Sequence, residues 1–338
     1  MAFSFPSVGT NSGALRPGIL QRISLYRGGS DSQVSLELSP IVKVMTRAGF
    51  YHYFAENDAL VTDGAQGIKP IELDTPAVPG GLRIASGSYN SSVYRWGHQV
   101  FTLKQIEEFA ARAEDITAVF AMKLQTQGAQ HHAAVVGAAL STSGNYASGL
   151  SVPNGNLASA ELQSTFNSLL LAAAADGADI FSGRWVAVCN LNTANALLQK
   201  NEVFQMGYSI AAATVGGSLA QARTGAADWS QLKAFFASKL ICPVDFICLP
   251  QFLPTAGSQT GTPVMTDGIL SLFKVAEANG DSGFIQTFTP DPNAALGQVI
   301  SYDSQNPRGI AMYIESDYAV QVLGGSSNKW ARYAYNIS

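Results

Sequence analysis

A long helical pattern that begins at Leu103 is the feature of this sequence that most constrains its fold. Apolar residues recur there every three or four positions, and Thr102 stands where an N-cap would be. An Ala-rich continuation extends the predicted helix to Leu140, which gives a length of about 57 Å at about 1.5 Å per residue. Gly128 and Gly137 are the weak points of that prediction. The predicted apolar face consists of Leu103, Ile106, Ala113, Ile116, Phe120 and Leu124.

The stretch that precedes this helix, residues 55–92, is long and is broken by glycine and proline. Asp63-Gly64, Pro79 and Gly80-Gly81 separate short strand-like pieces within it. A connection of about 40 residues is too long for a compact domain, so two alternatives stay open, a functional excursion or disorder. Residues 1–35 show weak periodicity, which is typical of an extended arm whose order depends on a partner.

Downstream of the long helix, helical and strand patterns follow one another without a repeating strand-helix-strand unit. This order predicts an α+β fold and not an alternating, parallel α/β fold. The predicted helices span residues 159–176, 193–199 and 229–240, and the predicted strands include 185–189, 244–249, 311–314 and 319–323.

The chain is poor in charge. Asp, Glu, Lys and Arg make up 13% of its residues, against about 25% in an average soluble protein, while hydrophobic residues reach 47%. Interface cores are depleted in charged residues, so this composition favours a protein whose surface is largely covered by neighbours. A low-charge monomer is the alternative. The net charge of −4, without a basic run, argues against a broad phosphate-binding surface, although passive enclosure of nucleic acid is compatible with it.

The three cysteines, Cys189, Cys242 and Cys248, are odd in number and lie in apolar surroundings without metal-ligand spacing. We expect buried thiols in a reducing cytosol. The first residues lack the basic and apolar regions of a secretory signal. No stretch of about 20 apolar residues is present to span a membrane, so no membrane partner is predicted.

No residue pattern in the sequence strongly indicates a catalytic or ligand-binding site. His131-His132 makes a poor metal clamp, because adjacent side chains on a helix point about 100° apart. The acidic pairs Glu107-Glu108 and Glu114-Asp115 are typical of a solvated or interface face of a helix. Neither a phosphate-binding loop nor a nucleophile elbow appears. We therefore predict no catalytic, cofactor-binding or metal-binding residue and no enzymatic activity; an α+β enzyme with an unrecognised site is the alternative.

The order of segments resembles a known family, the major capsid proteins of tailed double-stranded-DNA bacteriophages with the Hong Kong 97 type of capsid fold. The resemblance covers most of the chain from about residue 36. Its motifs are patterns of residue class and order, not invariant signatures. The segments that carry it are Pro40-Ile41-Val42, Gly49 to Phe54, Val93-Tyr94-Arg95, Leu103 to Ile106, and Trp185 to Leu198.

The resemblance implies an α+β capsid fold with an N-terminal arm, an extended loop, a peripheral domain with a long spine helix, and an axial domain. The implied ranges are 1–54 for the arm and entry strands, 55–92 for the extended loop, 93–184 for the peripheral domain, 185–299 for the axial domain, and 300–338 for return strands of the peripheral domain.

By the same resemblance, the chain would assemble with itself as hexamers and pentamers into the icosahedral head of a virion, made in the host cytoplasm and enclosing double-stranded DNA. Scaffold, portal and decoration proteins are the other implied partners. A nanocompartment shell of the same fold is the nearest alternative. The family's lysine-asparagine cross-link is not carried over, because nothing marks a partner for the loop lysine. The residues expected at the intersubunit loop are Lys69, Pro79, Gly80, Gly81 and Arg83.

Overall fold

The computed structural model is a mixed α+β structure, which confirms the predicted fold class. It describes residues 31–54, 84–111, 115–152, 161–200, 203, 229–249, 252–254, 261–276, 283–292, 297–325 and 328–337.

The helices of the described part are α1 (Asp31–Leu38), α2 (Leu103–Ala110), α3 (Ile116–Ser141), α4 (Glu161–Ala175), α5 (Leu191–Leu198) and α6 (Trp229–Ser238). The strands are β1 (Ile41–Lys43), β2 (Ala48–Phe54), β3 (Ile84–Asn90), β4 (Ser92–Thr102), β5 (Gly149–Ser151), β6 (Trp185–Asn190), β7 (Asp245–Leu249), β8 (Phe252–Pro254), β9 (Gly261–Pro263), β10 (Leu270–Lys274), β11 (Ile285–Thr289), β12 (Gln298–Gln305), β13 (Arg308–Val322) and β14 (Ala331–Tyr335).

The long helix predicted from residue 103 is present as two helices, α2 and α3, so the prediction of one continuous helix is wrong. The break falls at Asp115, whose extended backbone (φ −107°, ψ 95°) places it outside the helix as the N-cap of α3. Its Oδ1 accepts hydrogen bonds from the backbone N–H groups of Thr117 and Ala118, at 3.1 and 3.2 Å. An aspartate that satisfies two otherwise unpaired N–H groups favours a helix start at this point.

Helix α3 then runs for 26 residues, about 39 Å at about 1.5 Å per residue, without interruption at either predicted weak point. Gly128 and Gly137 are both buried. A Cβ atom at Gly137 would lie 2.3 Å from the carbonyl oxygen of Val264. This glycine therefore lets the helix approach a neighbouring backbone, and packing offsets its low helix propensity.

Helix α1 was not expected, since its residues were assigned to the extended arm and the segment after it. Ser35 and Leu38 are fully buried on the face that meets α3. Leu38 packs with Val136 and Leu140 of α3 in one apolar cluster. Tertiary packing of this face, and not a strong local pattern, stabilises the helix.

The first sheet is organised around β13, a strand of 15 residues. Its first part pairs antiparallel with β12 on one side and β4 on the other, and its last part pairs antiparallel with β11. Strand β1 pairs in parallel with the far side of β11. Helix α3 packs on β13, where Leu124 meets Met312 and Ile314 in a small core.

The second sheet has the strand order β5-β14-β10-β6-β7. Strand β6 is buried along its whole length. Helices α4, α5 and α6 cover one face of this sheet, where their apolar side chains form the largest core cluster of the described residues. Residues 300–338, which were expected to form return strands of the peripheral domain, thus supply β13 to the first sheet and β14 to the second.

Candidate functional site

The residues predicted for the intersubunit loop, Lys69, Pro79, Gly80, Gly81 and Arg83, lie outside the described residues, as does Ala113 of the predicted helix face. The stem of that loop is described. It is the antiparallel hairpin of β2 and β3, in register from Ala48 opposite Asn90 to Phe54 opposite Ile84.

Two tyrosine-glycine pairs fix one face of the stem against the body. Tyr51 lies opposite Gly87, and Tyr89 lies opposite Gly49. Both tyrosine rings stack on Phe288 of β11, with ring centroids 5.4 and 4.9 Å away. Glycine is required opposite each ring, because a Cβ atom at Gly87 would lie 2.2 Å from Cζ of Tyr51 and one at Gly49 would lie 2.5 Å from the hydroxyl of Tyr89.

Polar contacts reinforce this attachment. The Tyr51 hydroxyl donates a hydrogen bond to the carbonyl oxygen of Val322 at 3.2 Å. Just before β2, Nε of Arg47 donates to Oδ2 of Asp317 at 2.7 Å. The stem is therefore attached to both β11 and β13.

The root of the stem also carries apolar side chains that face solvent. Phe50, on the face of β2 opposite Tyr51, is 76% exposed, and Met45 is 95% exposed. His52 is exposed on the same face as Phe50. Large exposed apolar groups beside a firmly held strand pair provide a surface that another chain can cover.

The remaining predicted helix residues are distributed over α2 and α3. Leu103 and Ile106 lie on α2, and all eight residues of that helix are at least partly exposed. Ile116, Phe120 and Leu124 lie on α3, where Leu124 is buried and Phe120 contacts Phe101 edge-on at 5.2 Å. The predicted apolar face thus packs on the first sheet at α3. On α2, Ile106 is partly buried against the same small core, whereas Leu103 is exposed.

The two adjacent histidines have separate structural roles. Nδ1 of His131 lies 2.7 Å from the hydroxyl of Tyr318. His132 is fully buried, with Nδ1 2.9 Å from Oγ of Ser35 and Nε2 3.0 Å from Oγ1 of Thr287. Burial, together with a smaller effect of the neighbouring His131, lowers the pKa of His132 to about 3. His132 is therefore a neutral group that joins α1, α3 and β11.

The acidic pairs of the sequence take ordinary helical positions. Glu107 and Glu108 are exposed on α2, and Glu108 lies 3.9 Å from Nζ of Lys104 one turn earlier. Asp115 caps α3, and Glu114 lies outside the described residues. Within the described ranges, no three His, Cys, Asp or Glu side chains are grouped as a metal ion would need. Among the described helices, none is long and apolar enough to cross a membrane.

A groove of about 610 Å³ that the sequence did not predict runs along β7. Five consecutive residues, 244–248, form one wall, and Trp229, Lys233 and Ala237 of α6 form another. Arg184 lies at the groove, where its Nε donates to Oδ2 of Asp245 at 2.8 Å. The groove could not be predicted, because it depends on the contact between helices and a strand that lie far apart in sequence.

Comparison with known proteins gives structural relatives alone, since no family model and no curated protein matches the chain. The chain is similar to the bacteriophage PhiM1 mature capsid, at 12% identity and a TM-score of 0.55, over 90% of this chain and 87% of the other. It is similar to a phage-related protein from Bordetella bronchiseptica RB50, at 12% identity and a TM-score of 0.55, over 95% and 97%.

A third likeness is to the capsid of a native GTA particle, at 11% identity and a TM-score of 0.54, over 91% of each chain. At identities this low, the structural likeness shows a shared fold alone. The likeness spans almost the whole length of both chains in each pair, so the fold is shared as a whole and not through one domain.

Proposed function

We propose that this chain is the structural major capsid protein of a tailed bacteriophage, which assembles as hexamers and pentamers into an icosahedral head around double-stranded DNA. The observation that carries the proposal is the fold, which matches capsid subunits over about nine tenths of both chains. A fold alone does not imply a function, so the proposal also needs surfaces suited to assembly.

The hairpin of β2 and β3 is the first such surface. Its inner face is fixed by Tyr51 and Tyr89 on Phe288, while Phe50 on its outer face is exposed. We infer that residues 55–83 continue this hairpin across the adjacent subunit, with Lys69, Pro79, Gly80, Gly81 and Arg83 at the contact. A stem that is already fixed on the body lowers the entropic cost of the contact, because the hairpin loses less conformational entropy when the subunits meet.

The remaining surfaces follow from the same assignment. In it, α3 is the main part of the spine of a peripheral domain that includes residues 93–184, and residues 185–299 form an axial domain that meets its neighbours around five-fold and six-fold axes. Heterologous contacts that close by rotation generate such rings. Many weak contacts then act together, since each bound neighbour raises the effective concentration of the next.

The low charge of the chain supports this arrangement. With 13% charged residues, an isolated subunit carries less charge than a solvated monomer usually does, and assembly would cover much of its surface. We infer a non-enzymatic role in the virion capsid after synthesis in the host cytoplasm. Scaffold, portal and decoration proteins are the inferred partners besides the chain itself. DNA is enclosed without sequence-specific contacts.

Assembly of the purified chain tests this function. The chain is expressed alone and together with the scaffold protein of its phage, and the products are examined by electron microscopy and analytical sedimentation. We expect closed shells built from rings of five and six subunits. Monomers alone under both conditions would contradict the proposal. Shells that package an enzyme and no DNA in the native host would instead favour a nanocompartment.

A further inference from the structure

Two of the three cysteines lie side by side on neighbouring strands. Strands β6 and β7 are parallel, and their register places Cys189 directly opposite Cys248. Neighbouring strands are about 4.8 Å apart, and side chains at paired positions point to the same face. Both cysteines pack into the same apolar cluster, which confirms the shared face. This strand spacing of about 4.8 Å lies within the range of Cα–Cα distances, about 4.4–6.8 Å, that a disulfide spans.

The two thiols differ in access. Cys189 is fully buried, whereas Cys248 is partly exposed and lines the groove between α6 and β7. Burial raises the pKa of the Cys189 thiol, and the adjacent Cys248 raises it further. A small oxidant in the groove would reach Cys248 before Cys189.

We propose that Cys189 and Cys248 form a redox-modification site, in which a peroxide joins them by a disulfide across β6 and β7. Hydrogen peroxide first converts the Cys248 thiol to a sulfenic acid, and one water is released. The sulfur of Cys189 then attacks the sulfur of Cys248 and displaces the hydroxyl group as a second water. Both thiol hydrogens leave as water, so two thiols and one peroxide give one disulfide and two waters.

The bond would change the sheet at its edge. Strand β7 is the last strand in the order of the second sheet, and its described pairing partner is β6. A disulfide would attach this edge strand covalently and would close a loop that contains α5 and α6. Closure of a long loop restricts the unfolded chain and thereby stabilises the folded state. The site belongs to the single chain, so it holds whether or not the chain assembles.

Peptide mapping of the oxidised full-length chain tests the proposal. The reduced protein is treated with hydrogen peroxide, the remaining thiols are blocked, and the digest is analysed by mass spectrometry without reduction. We expect one cross-linked peptide pair that contains residues 189 and 248 and has lost two hydrogen atoms. Dithiothreitol should separate the pair. Oxidation should also raise the melting temperature, and reduction should return it to the original value.

The third cysteine provides a matched control, since Cys242 is also buried and burial raises its pKa to about 11. Cys242→Ser should keep the cross-link, and Cys248→Ser should abolish it. Oxidation of Cys248 to sulfinic acid in the wild-type chain without any cross-link would overturn the proposal. A cross-link that persists in Cys248→Ser would overturn it as well. The wild-type map is decisive even if a variant fails to fold.

Discussion

His132 lies at the centre of a buried polar network that joins three segments of the chain. Its two ring nitrogens meet hydroxyl groups of Ser35 and Thr287, and Thr287 in turn lies 2.8 Å from Oγ of Ser39. Hydroxyl groups can donate or accept, so they satisfy a neutral imidazole in either tautomer. A proton on His132 would add a charge in a fully buried place, and burial opposes that charge.

Acid should therefore weaken the fold through His132. The unfolded chain binds a proton at an ordinary histidine pKa of about 6.5, whereas folded His132 binds it near pH 3. The contribution of His132 is complete above about pH 6.5 and is lost as the pH falls, at up to about 1.4 kcal/mol per pH unit. Urea unfolding between pH 7.5 and pH 5 measures this slope. His132→Gln should reduce it, and the exposed His52→Gln should not; equal slopes in all three proteins would contradict the assignment.

A second residue-scale prediction concerns the glycine under Tyr51. Gly87→Ala places a methyl group 2.2 Å from the ring carbon Cζ, so the ring must move away from Phe288. We expect a loss of about 1–3 kcal/mol in the free energy of unfolding, as for other overpacked sites. Urea denaturation measures it. Gly144→Ala is the matched control, because no atom lies within 4 Å of the added methyl group. Similar stability of the two variants would argue against a role of Gly87 in the stem.

At the scale of elements, helical patterns in the sequence located α2, α3, α4 and α6, and a capping asparagine located the short helix α5. The sequence pattern did not locate the break before α3, which depends on the hydrogen bonds of a single side chain. It also divided β13 into two short strands, since Glu315 and Asp317 interrupt the apolar pattern. The structure pairs these carboxylates with Arg95 and Arg47, and the strand continues through them.

The cap of α3 can be tested directly. Asp115→Ala removes the acceptor of two backbone N–H groups at the helix start. We expect the free energy of unfolding to fall by about 1 kcal/mol, the usual cost of losing an N-cap. Urea unfolding followed by circular dichroism measures the change. Asp115→Asn keeps an acceptor oxygen and should retain most of the stability. Equal losses in both variants would show that the carboxylate charge matters more than the cap.

At the scale of the whole molecule, the fold class predicted from the sequence is confirmed, whereas most of the stretch predicted as an excursion or as disorder lies outside the described residues. The sequence did not predict how the hairpin of β2 and β3 is attached, because Phe288 is more than 190 residues away from both tyrosines along the sequence. The alternation of glycine and tyrosine in residues 49–51 and 87–89 was a signal for this stem. Its partner on the body could come from the three-dimensional structure alone.

The proposed role of the loop gives a prediction about the assembly. Deletion of residues 64–81 removes a segment beyond the described stem, so the subunit should still fold and its melting temperature should change little. Shells should not form, because the contact with the adjacent subunit is lost. Sedimentation and electron microscopy measure the outcome. Lys69→Ala should still assemble, since we expect no cross-link through this lysine. Normal shells from the deletion variant would refute the assignment of the loop.

Strand β13 connects two distant parts of the molecule without a break. Arg308 begins it at the tip of the ribbon with β12, and Val322 ends it at the carbonyl group that Tyr51 holds. At about 3.3 Å per residue, the strand extends about 46 Å between these ends. The ribbon tip and the root of the hairpin are therefore joined by one continuous hydrogen-bonded strand. In the proposed shell, the position of a neighbour at the ribbon tip would thereby affect the orientation of the hairpin at the opposite end of the strand.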